Sequence, residues 1–170
     1  MKIIAVLVTL LSLTGCLGMP EKVKPVQSFE LNRYLGKWYE IARLDHSFER
    51  GMEQVSTEYT LKENGKVAVL NRGFVSKTGQ WKDAEGKAYF VNKENEGYLK
   101  VSFFGPFYGS YVIFELDQNY EYAFVSGPDT SYLWLLARKP NIAPEIIERF
   151  KTRANELGFK TENLIFVKHP

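Results

Sequence analysis

From Trp38 onward the chain is a succession of short segments rich in Val, Tyr, Phe, Thr and Ile, spaced about ten residues apart with turn residues between them. That rhythm is the pattern of an antiparallel sandwich or barrel. Val55, Thr57, Tyr59 and Leu61 alternate with Ser56, Glu58, Thr60 and Lys62, which gives a period-two strand with one apolar face. Asn64-Gly65 then supplies a hairpin turn, since both residues tolerate positive φ. Strands are expected near 37–46, 54–62, 66–75, 85–93, 97–104, 110–117, 120–126 and 132–139. Eight strands close a small antiparallel up-and-down barrel able to hold one ligand. The fold class expected is therefore all-β, with one C-terminal flanking α-helix and a short last strand.

The first strand opens with Asn32-Arg33-Tyr34-Leu35-Gly36-Lys37-Trp38-Tyr39-Glu40-Ile41-Ala42-Arg43. A glycine two residues before a tryptophan at the mouth of a strand suggests a tight backbone turn that swings a large indole into an interior. The string from Leu35 to Arg43 closely resembles the opening motif of the lipocalin family, in particular its bacterial outer-membrane branch. In that family an arginine ending the last barrel strand lies over the tryptophan. Tyr132-Leu133-Trp134-Leu135-Leu136-Ala137-Arg138 resembles this second motif, although Asp129-Thr130-Ser131-Tyr132 is a looser version of the family's usual Thr-Asp-Tyr turn. The resemblance spans residues 30–168 and implies that Gly36, Trp38 and Arg138 are structural: a cation over an indole, worth about 0.5–2 kcal/mol, that closes the barrel.

Strand parity separates the two ends. If the first strand begins at the closed end, the connections at 47–53, 76–80, 105–109 and 127–131 lie at the open end, and the turns at Asn64-Gly65, Asn95-Glu96 and Gln118-Asn119 lie at the base. The open-end set is expected to be the longer on average. The eighth strand then ends at the base, which brings Arg138 near Trp38. Beyond it, Pro144 to Leu157-Gly158 reads as an amphipathic helix carrying Ile146, Ile147, Phe150, Ala154 and Leu157 on one face, to be packed on the outer wall. Leu164 to Val167 is expected to pair beside the first strand.

Met1-Lys2, an apolar run from Ile3 to Leu13 and the ending Leu13-Thr14-Gly15-Cys16 have the regions of an export signal, too short to span a bilayer as a helix. The ending resembles a bacterial lipoprotein box, in which the signal is removed before a cysteine that becomes acylated. Cys16 is the sole cysteine, so no intrachain disulfide forms and lipidation is its expected role. Leu17 follows, and not an aspartate; in the pathway this resembles, that favours the outer membrane. More than one acyl chain gives stable anchoring. Residues 1–15 are thus expected to be the signal peptide, 16–29 the lipidated cysteine and an extended tether, and 30–170 the barrel domain. A dozen tether residues could hold the domain about 40 Å off the bilayer.

Net charge is +2 from dispersed Lys and Arg, which gives no electrostatic footprint for nucleic acid. His46 and His169 lie far apart with no cysteine company, so no metal or other cofactor is expected, and His46 reads as a polar residue near the barrel mouth. Glu40 shares the first-strand face of Trp38, Ala42 and Leu44 and is expected inside the barrel, where it needs a partner such as Arg72 or a tyrosine hydroxyl; an internal hydrogen bond and ligand contact both remain open. Phe103-Phe104-Gly105-Pro106-Phe107-Tyr108-Gly109 places more aromatic rings at the open end than a turn requires. Glu40, Tyr59, Phe103, Phe107, Tyr108 and Tyr111 are the ligand-binding candidates.

These readings converge on a carrier and not an enzyme: a lipid-anchored outer-membrane protein facing the periplasm that stores or transports a fatty acid, lysophospholipid or similar amphiphile. The resemblance implies a link to membrane maintenance under stress. A lipid-modifying enzyme using Glu40 or His46 as base, and an interaction module with a filled barrel, are the alternatives. A homodimer is compatible with the sequence.

Overall fold

The computed structural model describes residues 17–170; the segment expected to be a signal peptide and Cys16 lie outside the described residues. A one-turn helix α1 (Leu31–Tyr34) precedes eight antiparallel strands: β1 (Gly36–Arg43), β2 (Met52–Leu61), β3 (Val67–Val75), β4 (Gln80–Phe90), β5 (Tyr98–Phe104), β6 (Phe107–Leu116), β7 (Tyr122–Ser126) and β8 (Leu133–Ala137). Each pairs with its neighbour in sequence, and β1 pairs with both β2 and β8, which closes the barrel. Helix α2 (Pro144–Glu156) and the two-residue strand β9 (Ile165–Phe166) come after the barrel.

Two apolar clusters divide the protein. The barrel interior holds Trp38, Tyr59, Val67, Val69, Ala88, Leu99, Ile113, Val125 and Leu136. The second lies between the outer wall and α2, where Ile41, Val112, Phe124, Leu133 and Leu135 meet Phe150, Ala154 and Leu157. The helix begins with Pro144, whose missing N–H would be unpaired there in any case, and it buries the face anticipated from its spacing.

The base is sealed as the first and last strands predict. Gly36 has φ +91, a conformation that favours glycine, so the chain turns out of α1 directly into β1. The Arg138 guanidinium lies 4.0 Å from the Trp38 ring centroid. It also donates to the carbonyls of Arg33 at 2.7 Å, Lys37 at 3.0 Å and Tyr120 at 3.2 Å.

Three expectations need correction. The open-end connections are not the longer set: β4 begins at Gln80, several residues before the expected start, and only Gly105-Pro106 separates β5 from β6. On β1 the pairing with β8 slips between Glu40 and Ala42. That bulge adds one residue and reverses the facing of the rest of the strand, so Ala42 and Leu44 join the cluster under α2 and Arg43 does not. Nor do residues 18–29 hang free as a tether. Gly18 N–H donates to Ser110 Oγ at 2.9 Å, Val26 N–H to the Ile113 carbonyl at 2.9 Å and Phe29 N–H to the Asn95 carbonyl at 2.9 Å. Val23 and Phe29 are buried, so the segment is a strap laid along β6.

The last strand pairs beside the first as expected, and the structure adds a detail at the seam. β1 pairs with β2 only from Gly36 to Tyr39, and beyond that point β9 takes the vacated edge, with Ala42 opposite Phe166. Val167 N–H donates to the Ile41 carbonyl and Gln54 N–H to the Lys168 carbonyl, so the C-terminal chain, paired beside β1, also reaches β2 at the open end.

Candidate functional site

At the bottom of the interior the Trp38 indole N–H donates to the Tyr34 carbonyl at 2.8 Å. Above it the hydroxyls of Tyr34 and Tyr111 are 2.7 Å apart, and Tyr59 donates to Tyr111 at 2.8 Å. Burial holds all three phenols above the usual tyrosine range, so they act as neutral hydrogen-bonding groups. Tyr59 and Tyr111, two of the six candidates, therefore meet on the floor of the barrel, with Tyr34 as an unanticipated third.

Toward the mouth, Glu40 is buried and its carboxylate accepts from Arg43 Nη1 at 2.7 Å. Arg43 is equally buried and donates through Nη2 to the carbonyls of Glu49 at 2.9 Å and Met52 at 3.3 Å. Glu49 reaches in from the first open-end connection: Trp134 Nε1 donates to Glu49 Oε2 at 3.1 Å, and His46 Nε2 lies 2.8 Å from that same oxygen. One guanidinium thus faces two carboxylates. Burial, then the charge of Glu49, push the Glu40 carboxyl well above its ordinary range, and Arg43 only partly offsets them. Burial would also raise Glu49, but the hydrogen bond and charge of His46, the Trp134 N–H and Arg43 together bring it below its ordinary value.

Arg72, offered by the sequence as partner for Glu40, instead points away from the barrel, 3.7 Å from Asp83 and 4.9 Å from the Trp81 ring. The true partner, three residues along the same strand, is hidden from a parity argument by the bulge. Trp134 carries a usable signal: it lies at Arg138 minus four, and so on the interior parity of β8.

The opposite wall is apolar and less tightly filled. Phe90, Val101, Phe103 and Tyr111 line the interior half-buried. β4 runs on past its last pair with β5, Lys87 opposite Ser102. A cleft of about 210 Å³ opens there, lined by Glu85, Gly86, Lys87, Ser102, Phe103 and Gly105. Phe103 thus stands on both the cleft and the interior. Phe107 sits at the tip of the β5–β6 hairpin, opposite Phe104, and is 75% exposed. Tyr108 is on the outer wall: its ring is 6.1 Å from Tyr89, with Lys100 Nζ 5.2 Å from its centroid. It does not share the interior with Tyr111, because three residues separate them on one strand.

Comparison with known proteins agrees with this architecture. A profile described as a lipocalin-like domain matches residues 29–169. The chain is 64% identical over 157 residues to the outer membrane lipoprotein Blc of Vibrio cholerae, covering 92% of each. It is 46% identical over 151 residues to the protein of that name in Escherichia coli K12, covering 89% of this chain and 85% of the relative. Among solved structures, insecticyanin from the tobacco hornworm superposes with a TM-score of 0.73 over 90% of this chain and 87% of its own, at 21% identity, which is a likeness of fold.

Proposed function

The chain belongs to the lipocalin family, and from that premise we propose that it is a lipid carrier anchored in the outer membrane through acylated Cys16, which holds a fatty acid, lysophospholipid or similar amphiphile in its barrel. The observation that carries this reading is the asymmetry of the interior. One side is closed by the buried polar cluster of Glu40, Arg43, Glu49, His46 and Trp134, whereas the wall of Phe90, Val101 and Phe103 is apolar, half-buried and continuous with a cleft near the mouth. Hydrocarbon laid against that wall gains about 0.8 kcal/mol per buried methylene before ordering costs. The two relatives named as outer membrane lipoproteins support the location, and periplasmic storage or transport of lipid for membrane maintenance under stress is the physiological reading.

We read the protein as a carrier and not a catalyst because the titratable groups of the interior are engaged with one another. Glu40 is held by Arg43, and Glu49 by His46 and Trp134. A native mass spectrum of protein purified without detergent tests the proposal. The expected result is a mass increment equal to one unaltered lipid. A mass matching the acylated chain alone, unchanged after incubation with lysophospholipid, would favour a filled barrel, and release of altered lipid would favour an enzyme.

A further inference from the structure

The strap formed by residues 18–29 runs along β6 in a defined direction. Its first bond is to Ser110, three residues from the open-end tip at Phe107, and its later bonds are to Ile113 and then Asn95 in a base connection. The strap is also built into the wall. Gly97 N–H donates to the Val26 carbonyl at 2.9 Å, and a Cβ on Gly97 would lie 2.7 Å from the Val26 side chain, so the close approach requires glycine. The chain therefore arrives at the open end and descends toward the base. Cys16 precedes Gly18 by two residues in sequence, and two residues of chain reach at most about 7 Å. Ser110 in turn lies about 10 Å from the hairpin tip.

The surface at that end is the most apolar exposed part of the described chain. Phe104 is 78% exposed, Phe107 75%, Phe48 in the first open-end connection 53%, and Trp81 at the start of β4 46%. The Lys87 ammonium lies beside the tip, 3.8 Å from where a Cβ on Gly105 would stand. Two carboxylates near the rim have cationic partners: Asp45 has Arg50 at 2.8 Å and Asp83 has Arg72 at 3.7 Å. Aromatic side chains placed at a membrane surface settle at the boundary between headgroups and acyl chains, with a lysine reaching the headgroups.

We propose that the open end of the barrel docks on the same bilayer that holds the acyl anchor, with Phe104 and Phe107 inserted at the interface. The strap is the device that enforces this. A free tether would allow the barrel any orientation, whereas twelve docked residues leave only Leu17 between the acylated cysteine and the wall. The mouth and the cleft beside Phe103 then face the lipid surface, so an amphiphile passes between bilayer and barrel without crossing open water. The inference rests on acylation of Cys16.

The test uses the full acylated protein in vesicles of phosphatidylethanolamine and phosphatidylglycerol, with a spin label at Phe107→Cys or, in a second variant, at Asn64→Cys in the base hairpin. Two readouts keep the premise and the inference apart. Sedimentation with vesicles reports the anchor, and oxygen against nickel accessibility of the label reports depth. The expected result is sedimentation of both variants, with the Phe107 label about 5 Å into the headgroup–acyl boundary and the Asn64 label in water. Sedimentation with both labels equally exposed to water would overturn the docking while leaving the anchor in place. Failure of either variant to sediment, with the polypeptide mass lacking acyl chains, would remove the anchor and the docking with it.

Discussion

Arg43 and Glu40 form a buried ion pair of 2.7 Å between residues three apart on one strand, a separation at which a regular strand would send them to opposite faces. The bulge between Glu40 and Ala42 is what brings both inside. Arg43→Met should therefore cost about 3–5 kcal/mol, since it strands buried carboxylates, whereas Glu40→Gln should cost less because the guanidinium keeps Glu49 nearby. Urea unfolding of the two variants measures the difference.

The same cluster sets a pH dependence. Glu40 has a folded pKa well above its ordinary 4.5. Its unfolded form ionises first as pH rises, so stability falls between that value and the folded pKa. Glu49 has a lowered folded value, so its contribution is present above the ordinary range and is lost as pH falls through the folded one. Stability curves against pH should show Glu40→Gln removing the loss on the rising side, while Glu49→Gln reduces the loss on the acid side.

Arg138→Ala removes the cation over Trp38 and three donors to the carbonyls of Arg33, Lys37 and Tyr120. A loss of about 2–4 kcal/mol is expected from the ring contact and the orphaned carbonyls together. Ligand affinity should be unchanged, since the residue closes the base from outside the apolar wall. A tenfold loss of affinity at constant melting midpoint would make it a binding residue.

Much of this is legible in the sequence. Period-two alternation places Tyr59, Leu99, Val101 and Phe103 on one interior, and parity along eight strands brings Arg138 to Trp38 from the far end of the barrel. Parity fails where pairing slips: the extra residue at Ile41 sends Ala42 and Leu44 outward and Arg43 inward, and nothing in local composition marks a bulge. Tyr108 is misplaced for a different reason, because aromatic content is weighed there in place of parity. The strap escapes a reading of the sequence because its apolar residues, Val23, Val26 and Phe29, have no repeating period; their contacts are with strands far away in sequence.

Tyr111 accepts from Tyr59 and shares a hydrogen bond with Tyr34, so Tyr111→Phe leaves two buried hydroxyls short of a partner. The expected cost is about 2 kcal/mol, against about 1 kcal/mol for Tyr34→Phe, which leaves the Tyr59–Tyr111 bond intact. Because all three phenols are held above the usual range, folding should weaken as pH rises above about 10, where unfolded tyrosines ionise. Ultraviolet titration of the folded protein checks this, as these phenols should ionise only with unfolding.

Cys16→Ala should abolish incorporation of labelled palmitate and release the barrel from the membrane fraction, because the chain has no other cysteine. Labelling of the variant would locate the lipid elsewhere.

If the apolar barrel interior takes up a lipid chain, titration with lysophospholipids of increasing chain length will register each added methylene. Intrinsic tryptophan fluorescence tracks binding, since Trp134 lies in the interior beside Glu49. Affinity should rise by up to about fourfold per added methylene until the interior is full and then level off, with the lipid recovered unaltered. Affinity independent of chain length would rule out uptake of the hydrocarbon by the barrel interior.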